Sequence, residues 1–376
     1  MSMRSALILG LLALLAAAPS AAAAERRVPR GFYGVVWDQE VAGSSAAVKA
    51  EQFGLMASTG VESVRTVFSW ADAQPEAGQQ PSFARTDELV ANAAVSGIGL
   101  LPVVMYAPRW ARRNPEVGTS PPARPADYGA FLARLVGRYG PRGSFWAERS
   151  DLPRRPLRRW QIWNEPHLQY QWTVHAREGG RFPHGYVALL RAAHASLSRS
   201  DSRARVVLAG LTNDSWNHLR ALYRAGARRW FDLAAVQTYT AAPRRVVMAL
   251  RRVRAVMSKA GDRGKPVLLT EMSWPAARGR TRVPSYHRRI VTSDAGMARR
   301  LTAGYRLVVR DRRRYRVGGL FWYTWASSYR PGSIFSYSGL GRFDDRGYQP
   351  RSAWRAYRRS ARRDQGCAKD RQGRCR

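Results

Sequence analysis

The sequence predicts a single-domain α/β protein with a (β/α)8 barrel, and three observations lead to this fold class. Eight short apolar runs alternate with eight amphipathic runs along the chain. Strands that alternate with helices pair in parallel, because each helix returns the chain to the starting edge of the sheet. The length of 376 residues suits one barrel of eight such units. A doubly wound open sheet is the alternative, but no Gly-x-Gly-x-x-Gly motif follows the first strand.

The strands are predicted from short apolar runs that end near turn-forming residues. They span residues 31–37, 63–69, 99–105, 159–163, 205–211, 233–238, 266–270 and 319–324.

The helices are predicted where apolar residues recur every three or four positions. Val246, Leu250 and Val253 keep this spacing, while arginines fall mostly between them. The eight helices span residues 46–57, 85–96, 125–139, 185–198, 215–227, 244–258, 294–310 and 352–362.

The two ends of the chain are predicted to lie outside the barrel. Residues 1–4 are basic, residues 6–18 are apolar, and residues 22–24 offer an Ala-x-Ala cleavage site before Glu25, so residues 1–24 are interpreted as a secretory signal peptide. An uncleaved membrane anchor is the alternative. The barrel is then expected at 25–363 and a tail at 364–376, in which Cys367 and Cys375 are expected to pair in an oxidising compartment.

The formal net charge of +37 is extreme, and most of it comes from arginine scattered along the chain. One interpretation is solvated helix faces. The other is attraction to an acidic polymer, such as an anionic polysaccharide, cell-wall teichoic material or nucleic acid. If the charge is functional, we expect a positive cleft or rim.

Two carboxylates at strand ends carry the chemical signal. The strand at 159–163 stops at Asn164, Glu165 and Pro166, and the strand at 266–270 runs into Glu271. A buried carboxylate is costly without a partner or a function. In a (β/α)8 barrel the chemistry lies at the carboxyl ends of the strands, and two facing carboxylates are the minimum equipment for glycoside hydrolysis.

Together these residues resemble glycoside hydrolase clan A, whose retaining (β/α)8 enzymes carry an acid/base Glu in an Asn-Glu pair after strand 4 and a nucleophilic Glu after strand 7. The resemblance implies that Glu165 is the acid/base and Glu271 the nucleophile. Families 39 and 5 are both similar. Gln237 and the Met105–Tyr106 pair depart from family 5, where His is expected.

The same resemblance implies substrate-binding residues. Arg65 is similar to the clan's strand 2 arginine beside the nucleophile, and Tyr239 is similar to the tyrosine that hydrogen-bonds it. Asn164 would bind the sugar 2-hydroxyl. Trp325 is similar to the strand 8 tryptophan under the sugar, and Trp274, Trp172 and Tyr106 are further candidates for stacking on sugar faces.

The expected function is therefore a secreted retaining glycoside hydrolase of a polysaccharide or oligosaccharide, located extracellularly or at the cell wall. The substrate is expected to be acidic if the arginine excess is functional. We expect a monomer with no cofactor, no metal, no specific nucleic acid partner and no membrane span after signal cleavage. An inactive carbohydrate-binding barrel and a transglycosylase are alternatives. A basic polymer-binding or nucleic-acid-associated protein is a third, against which the signal peptide argues.

Overall fold

The structure is a computed structural model that describes residues 25–175, 179–212 and 214–366. The expected signal peptide, Cys367 and Cys375 lie outside the described residues. The main sheet consists of β1 (Tyr33–Trp37), β2 (Ser63–Ser69), β3 (Gly99–Met105), β4 (Arg159–Ile162), β5 (Arg205–Val207), β6 (Ala234–Thr238), β7 (Val267–Met272) and β8 (Val317–Trp322).

These strands form one parallel sheet in the order β5-β4-β3-β2-β1-β8-β7-β6. The two outer strands approach each other through the isolated parallel bridges Val207↔Leu233 and Leu211↔Val236. The backbone N–H of Leu208 also donates to the carbonyl oxygen of Leu233, at 2.9 Å. The sheet thus bends into a nearly closed barrel, as the alternating pattern predicts.

Helices surround the barrel and bury its outer face. They are α1 (Ala46–Thr59), α2 (Trp70–Ala73), α3 (Ala84–Val95), α4 (Pro125–Tyr139), α5 (Ser144–Glu148), α6 (His184–Ser200), α7 (Ser215–Arg224), α8 (Pro243–Lys259), α9 (Asp294–Tyr315) and α10 (Ser352–Gln365). A small sheet of β9 (Ala326–Ser327), β10 (Gly341–Asp344) and β11 (Gly347–Pro350) follows β8. None of the described helices has the length and apolar character needed to cross a membrane.

Local sequence explains where several helices begin and end. The Ser45 hydroxyl accepts from the backbone N–H of Val48 at the start of α1, and Gly60 ends that helix with a left-handed φ of 97°. Proline stands in the first turn of α8, where its missing N–H costs no hydrogen bond. These capping residues mark the helix boundaries that the apolar spacing alone leaves open.

Most predicted elements agree with the structure within a few residues, and β2, β3 and α4 have their predicted bounds. The largest strand difference is β5, which ends at Val207 although the prediction ran to 211. Beyond Val207 the backbone serves other partners: the Leu208 carbonyl accepts from Gln161 Nε2 at 3.0 Å. The Gly210 carbonyl accepts from the Glu165 N–H at 3.2 Å.

The two ends of the described chain meet at the N-terminal face of the barrel. The backbone N–H of Arg27 donates to the Asp364 carbonyl oxygen at 2.9 Å. The hydroxyl of Tyr33 donates to the buried Asp364 carboxylate at 2.6 Å. Helix α10 therefore continues to Gln365, past the predicted helix end at 362 and the expected domain boundary at 363.

Candidate functional site

A cavity of about 910 Å³ lies at the carboxyl ends of the barrel strands. Its charged lining residues among those described are Asp38, Arg65, Glu165 and Glu271, with His287 at its edge. The cavity therefore brings together the two carboxylates and the arginine that sequence analysis singled out.

The backbone that leads into the cavity is unusual at three positions. Tyr106, Trp163 and Glu165 have left-handed φ angles of 61°, 65° and 46°. This conformation is uncommon for residues other than glycine and often occurs at functional sites. At Trp163 it ends β4 one residue before the predicted end at 163. The turn that follows directs Glu165 into the cavity.

Trp163 and Trp172 support this turn from below rather than binding at its surface. The Trp163 indole N–H donates to the Gln171 carbonyl oxygen at 2.8 Å. Trp172 packs edge-on against Trp163, with ring centroids 5.3 Å apart, and is buried. The stacking role considered for Trp172 is therefore not available to it, because its faces are covered by protein.

Glu271 is the last residue but one of β7. The predicted strand ended at residue 270, so that Glu271 was expected to follow it. The pairing of β6 with β7 shifts register between Val236 and Gln237, so that Gln237 stands opposite Glu271. Such a bulge redirects a side chain, and here the carboxylate points into the barrel mouth.

Three donors hold the Glu271 carboxylate. Arg65 Nη1 donates to Oε1 at 2.7 Å, and Gln237 Nε2 donates to the same oxygen at 2.8 Å. The Tyr239 hydroxyl donates to Oε2. Burial and the neighbouring Glu271 charge raise the pKa of Tyr239 well above its ordinary value, so the phenol stays protonated and donates. A carboxyl group surrounded by donors is bound as the anion, which accepts hydrogen bonds and donates none.

Arg65 is itself fixed from both sides. Gln161 Oε1 accepts from its Nε at 2.7 Å, and Asn164 Oδ1 accepts from its Nη2 at 2.8 Å. The arginine is buried and forms an ion pair with Glu271 across the barrel interior. Its planar guanidinium thus links β2, β4 and β7 in one orientation.

Gln237 and Gln161 belong to this network, and sequence reasoning missed both as site residues. Gln237 Nε2 bridges Asn164 Oδ1 and Glu271 Oε1, each at 2.8 Å. The sequence did offer one sign of them, because each glutamine is a polar residue among apolar neighbours in a predicted strand. Both side chains are buried in the barrel. A buried amide needs partners, and these partners are the predicted site residues.

Glu165 has a different environment from Glu271. No described residue donates a side-chain hydrogen bond to its carboxyl group. Burial, and then the negative charge of Glu271, raise the pKa of Glu165 to about 8, while Arg65 opposes the shift. The raised pKa favours the protonated form of Glu165 near neutral pH, whereas Glu271 is surrounded by hydrogen-bond donors.

Asp38 is a third carboxyl group in the cavity, which sequence analysis did not identify. It follows β1 and accepts from the Thr324 hydroxyl at 2.6 Å. Burial raises its pKa to about 6; hydrogen bonds from Thr324 and Tyr323 oppose this shift and the Glu271 charge adds to it.

Trp325 and Trp274 do not line the cavity, contrary to the expectation from sequence. The Trp325 indole donates to Gln52 Oε1 at 3.0 Å, and its ring stacks on Tyr348. Trp274 is fully buried, and its indole donates to the Thr240 carbonyl oxygen at 2.6 Å. Both rings are packed inside the protein, so neither offers a face to a ligand.

Other aromatic rings line the cavity instead. Tyr239, Tyr323 and Phe335 form an edge-to-face cluster with centroids 5.1 to 6.2 Å apart. Tyr170 and Tyr286 stand at the mouth with 66% and 78% of their surface exposed. Tyr106, a candidate from sequence, also lines the cavity.

His167 packs against other rings in the segment that follows β4. Its ring lies 4.1 Å from the ring of His218 and packs against Phe182. Burial lowers the pKa of His167 to about 3, with the nearby His218 adding to the effect. Within the described residues, no group of three His, Cys, Asp or Glu side chains is arranged to hold a metal ion.

The cavity is acidic although the chain is strongly basic. Three carboxyl groups face it, and Arg65 is the one arginine among its described lining residues. The positive cleft that a functional arginine excess would produce is absent from this part of the protein. Chemically, the arrangement places a carboxyl group with a raised pKa in the same cavity as a carboxylate that is fixed by donors.

Comparison with known proteins identifies similar folds among solved structures but no matching family at the level of sequence. No protein-family model matches the chain, and no curated protein matches it. Many solved structures share its fold. One is a family 39 glycoside hydrolase from Bacteroides cellulosilyticus WH2, with a TM-score of 0.66 and 18% identity over 89% of this chain and 64% of that chain. The chain thus spans less than two thirds of that protein.

Two further structures are similar. A monomeric beta-xylosidase from Caulobacter crescentus CB15 has a TM-score of 0.62 at 18% identity, covering 89% of this chain and 69% of that chain. A family 1 beta-glucosidase from Thermotoga maritima has a TM-score of 0.61 at 10% identity, covering 90% and 99%. These likenesses confirm the barrel and its resemblance to clan A glycosidases at the level of fold.

Proposed function

We propose that the protein is a retaining glycoside hydrolase that cleaves an O-glycosidic bond by double displacement. The observation that carries this proposal is that two carboxyl groups with different environments lie in one cavity. Glu271 is bound by three donors, and Glu165 has a raised pKa without side-chain donors. Retaining glycosidases need one ionised and one protonated carboxyl group on either side of the bond.

The first step forms a covalent intermediate. A Glu271 oxygen attacks the anomeric carbon while the bond to the leaving oxygen breaks, and Glu165 gives its proton to that oxygen. In the second step, Glu165 as carboxylate takes a proton from water. The water oxygen then attacks the anomeric carbon and releases the Glu271 carboxylate.

The surrounding residues position these groups. Arg65, Gln237 and Tyr239 orient the Glu271 carboxylate. Asn164 uses its Oδ1 to accept from Arg65 and Gln237, so its Nδ2 remains as a donor for the sugar 2-hydroxyl. Such a contact tightens in the transition state.

The substrate proposed for the cleavage position is a neutral sugar. Asp38 and Glu271 would repel a uronate bound between them, whereas a carboxylate such as Asp38 accepts hydrogen bonds from hydroxyl groups. Tyr239, Tyr323 and Phe335 offer aromatic surface for the C–H face of a sugar ring. The acidic substrate that the sequence left possible therefore gains no support at the bond that is cut.

We also propose that the mature protein acts outside the cytoplasm, as a monomer with a glycan as its partner. The basis for export is the sequence alone: a basic start, an apolar run and an Ala-x-Ala site within residues 1–24. N-terminal sequencing of the protein recovered from a culture medium or cell wall tests the expected start at Glu25.

The experiment that tests the activity uses aryl glycosides and a polysaccharide panel. Glu271→Gln should abolish turnover of every substrate. Glu165→Gln should retain turnover of substrates with activated leaving groups, which need no proton, and azide should trap its intermediate as a glycosyl azide of unchanged configuration. Glu51→Gln is the matched control, because Glu51 is exposed on α1 and far from the site.

Proton NMR of the first-formed product decides the stereochemistry, since a retaining enzyme releases the anomer of the substrate's configuration. An inverted product, or equal loss on all leaving groups in Glu165→Gln, contradicts the proposed roles. Sugar binding without turnover by the unmodified protein would support the inactive binding barrel instead.

A further inference from the structure

A second cavity, of about 750 Å³, opens at the opposite end of the barrel, where β1 to β4 begin. Among the residues that the structure describes, the charged ones that line this cavity are five arginines and one glutamate. They are Arg26, Arg30, Glu62, Arg155, Arg158 and Arg159. We call this the arginine cavity.

Two of these arginines have carboxylate partners and three do not. Arg26 forms an ion pair with Glu62, and Arg158 Nε lies 3.4 Å from Asp201 Oδ2. The side chains of Arg30, Arg155 and Arg159 form no ion pair or hydrogen bond with any residue that the structure describes. Three positive charges therefore face the arginine cavity without compensation.

Arg159 is the least expected of the three. It begins β4 and stands directly opposite Arg205 in the parallel pairing of β4 with β5. Like charges directly opposite on neighbouring strands destabilise a sheet. Arg205 has a partner in Asp232, with Nη1 and Oδ1 3.6 Å apart, but Arg159 has none. The Arg159 side chain is exposed to solvent at the cavity opening, and partial desolvation by the surrounding protein lowers its pKa.

The neighbouring residues leave room for a bound group. Ser63 and Gly99 stand opposite each other at the start of β2 and β3 and carry small side chains or none. A Cβ on Gly97 would lie 3.5 Å from Arg155 Nη2, so that guanidinium reaches over the glycine backbone. The floor is apolar, formed in part by Leu268 and Phe321.

We propose that the arginine cavity binds a phosphate monoester group carried on a larger molecule, through Arg30, Arg155 and Arg159. A single carboxylate would offset one of three unpaired charges, whereas a phosphate monoester offers up to two charges and three acceptor oxygens. Guanidinium groups match this geometry with paired donors. The cavity is much larger than a phosphate ion, which leaves space for the sugar or polyol that carries it.

This inference goes beyond the proposed function and does not depend on it, because the arginine cavity and the carboxylate cavity occupy opposite ends of the barrel. It also gives part of the arginine excess a specific location.

The test compares three forms of the full chain. The double variant Arg155→Gln/Arg159→Gln removes two charges from the arginine cavity. The matched control Arg224→Gln/Arg251→Gln removes two charges from exposed positions on α7 and α8. Isothermal titration measures binding of inorganic phosphate, of sorbitol 6-phosphate and of gluconate, a polyol that carries a carboxylate instead of a phosphate.

The expected result is tighter binding of sorbitol 6-phosphate than of gluconate, with a loss of about tenfold or more in the cavity variant and little change in the control. Binding of inorganic phosphate as tight as that of sorbitol 6-phosphate would assign the site to the free ion and overturn the proposal of a carried phosphate. Equal loss in both variants, or no binding of any oxyanion by the unmodified protein, overturns the proposal.

Folding of the variants is checked by thermal unfolding without ligand. The cavity variant should be as stable as the unmodified protein or slightly more so, because Arg205 loses its like-charged neighbour. If it fails to fold, Arg30→Gln, in the exposed segment before β1, repeats the titration. Activity on a neutral aryl glycoside should stay unchanged in every variant.

Discussion

At the scale of single residues, Glu165 should give the enzyme its pH dependence. Burial and the Glu271 charge raise the pKa of Glu165 to about 8, and the proposed reaction uses the protonated form. The value of kcat/KM on a substrate with a poor leaving group should therefore have an alkaline limb that begins near that pH. It should fall tenfold per pH unit above it.

The control for this prediction is Glu165→Gln with an activated aryl glycoside. Its first step needs no proton, so its alkaline limb near pH 8 should be absent under single-turnover conditions. An alkaline limb that persists in this variant would assign the titration to a different group.

The residues of the site differed in how far the sequence could reveal them. Arg65 and Tyr239 were predicted from the resemblance to clan A glycosidases. In the structure both donate hydrogen bonds to Glu271. The roles of Gln161 and Gln237 depend on which strands face each other across the barrel, and no local pattern carries that information. Trp325 was mistaken for a lining residue because β8 ends at Trp322 and the chain then leaves the barrel, so Tyr323 lines the cavity instead.

At the scale of elements, the segment after β5 supports the network from behind. A Cβ on Gly210 would lie 2.3 Å from Gln237 Nε2 and 2.7 Å from its Cδ. Gly210→Ala should therefore displace the Gln237 amide from Asn164 and Glu271. We expect kcat to fall about 10- to 100-fold, in the range for loss of an electrostatic contact in an active site, with a small change in Tm.

Gly54→Ala, on α1, is the matched control, because nothing lies within 4 Å of its added Cβ. Unchanged kcat in Gly210→Ala would mean that Gln237 does not need its observed position. A crystal structure or the Tm of the variant separates local displacement from general unfolding.

The loop between β4 and α6 should make stability depend on pH through His167. Its ring nitrogens are buried without a hydrogen-bond partner, and its folded-state pKa is lowered to about 3 from 6.5. Because the folded state favours the neutral ring, stability is complete above about pH 6.5 and is lost as pH falls toward about 3. His167→Phe should reduce this loss, and chemical unfolding at pH 7 and pH 5 measures it.

His194→Phe is the control, since His194 contacts Trp230 on the outer face of α6 and no comparable burial is found there. Identical acid sensitivity of His167→Phe and the unmodified protein would show that other groups, such as His218, govern the loss.

The elements themselves were predictable because their signals are local. An apolar run bounded by turn residues fixed β2 and β3, and helical spacing after Pro125 fixed α4. Strand β5 was too long in the prediction because Leu208 and Leu211 are apolar and buried like strand residues. The backbone carbonyls of Leu208 and Gly210 instead accept from Gln161 and from the turn at Glu165, a demand set by distant parts of the chain.

At the scale of the whole molecule, the charges are distributed unevenly. The formal net charge of the chain is +37, yet the cavity at the carboxyl ends of the strands holds three carboxyl groups and Arg65. The best neutral aryl glycoside should therefore be cleaved at least about tenfold faster, in kcat/KM, than the aryl uronide of the same configuration, since two like charges repel by a few kcal/mol at contact. Added salt should leave the neutral substrate unaffected.

Asp38→Asn should reduce the difference in kcat/KM between the neutral aryl glycoside and the aryl uronide, because it removes one of the charges that repel the uronide. Faster cleavage of the uronide than of the neutral glycoside would show that the site accepts acidic sugars and would restore the acidic substrate expected from composition.

The contact between Arg27 and Asp364 has a practical consequence for engineering. Both described ends emerge beside the arginine cavity, because Arg26 and Gln365 line it. An affinity tag, a surface anchor or a fused module attached at either end would thus project away from the cavity that holds Glu165 and Glu271. A short linker from 366 back to 25 would also produce a continuous ring of chain, which makes this barrel a natural subject for circular permutation, with new ends cut into an exposed loop.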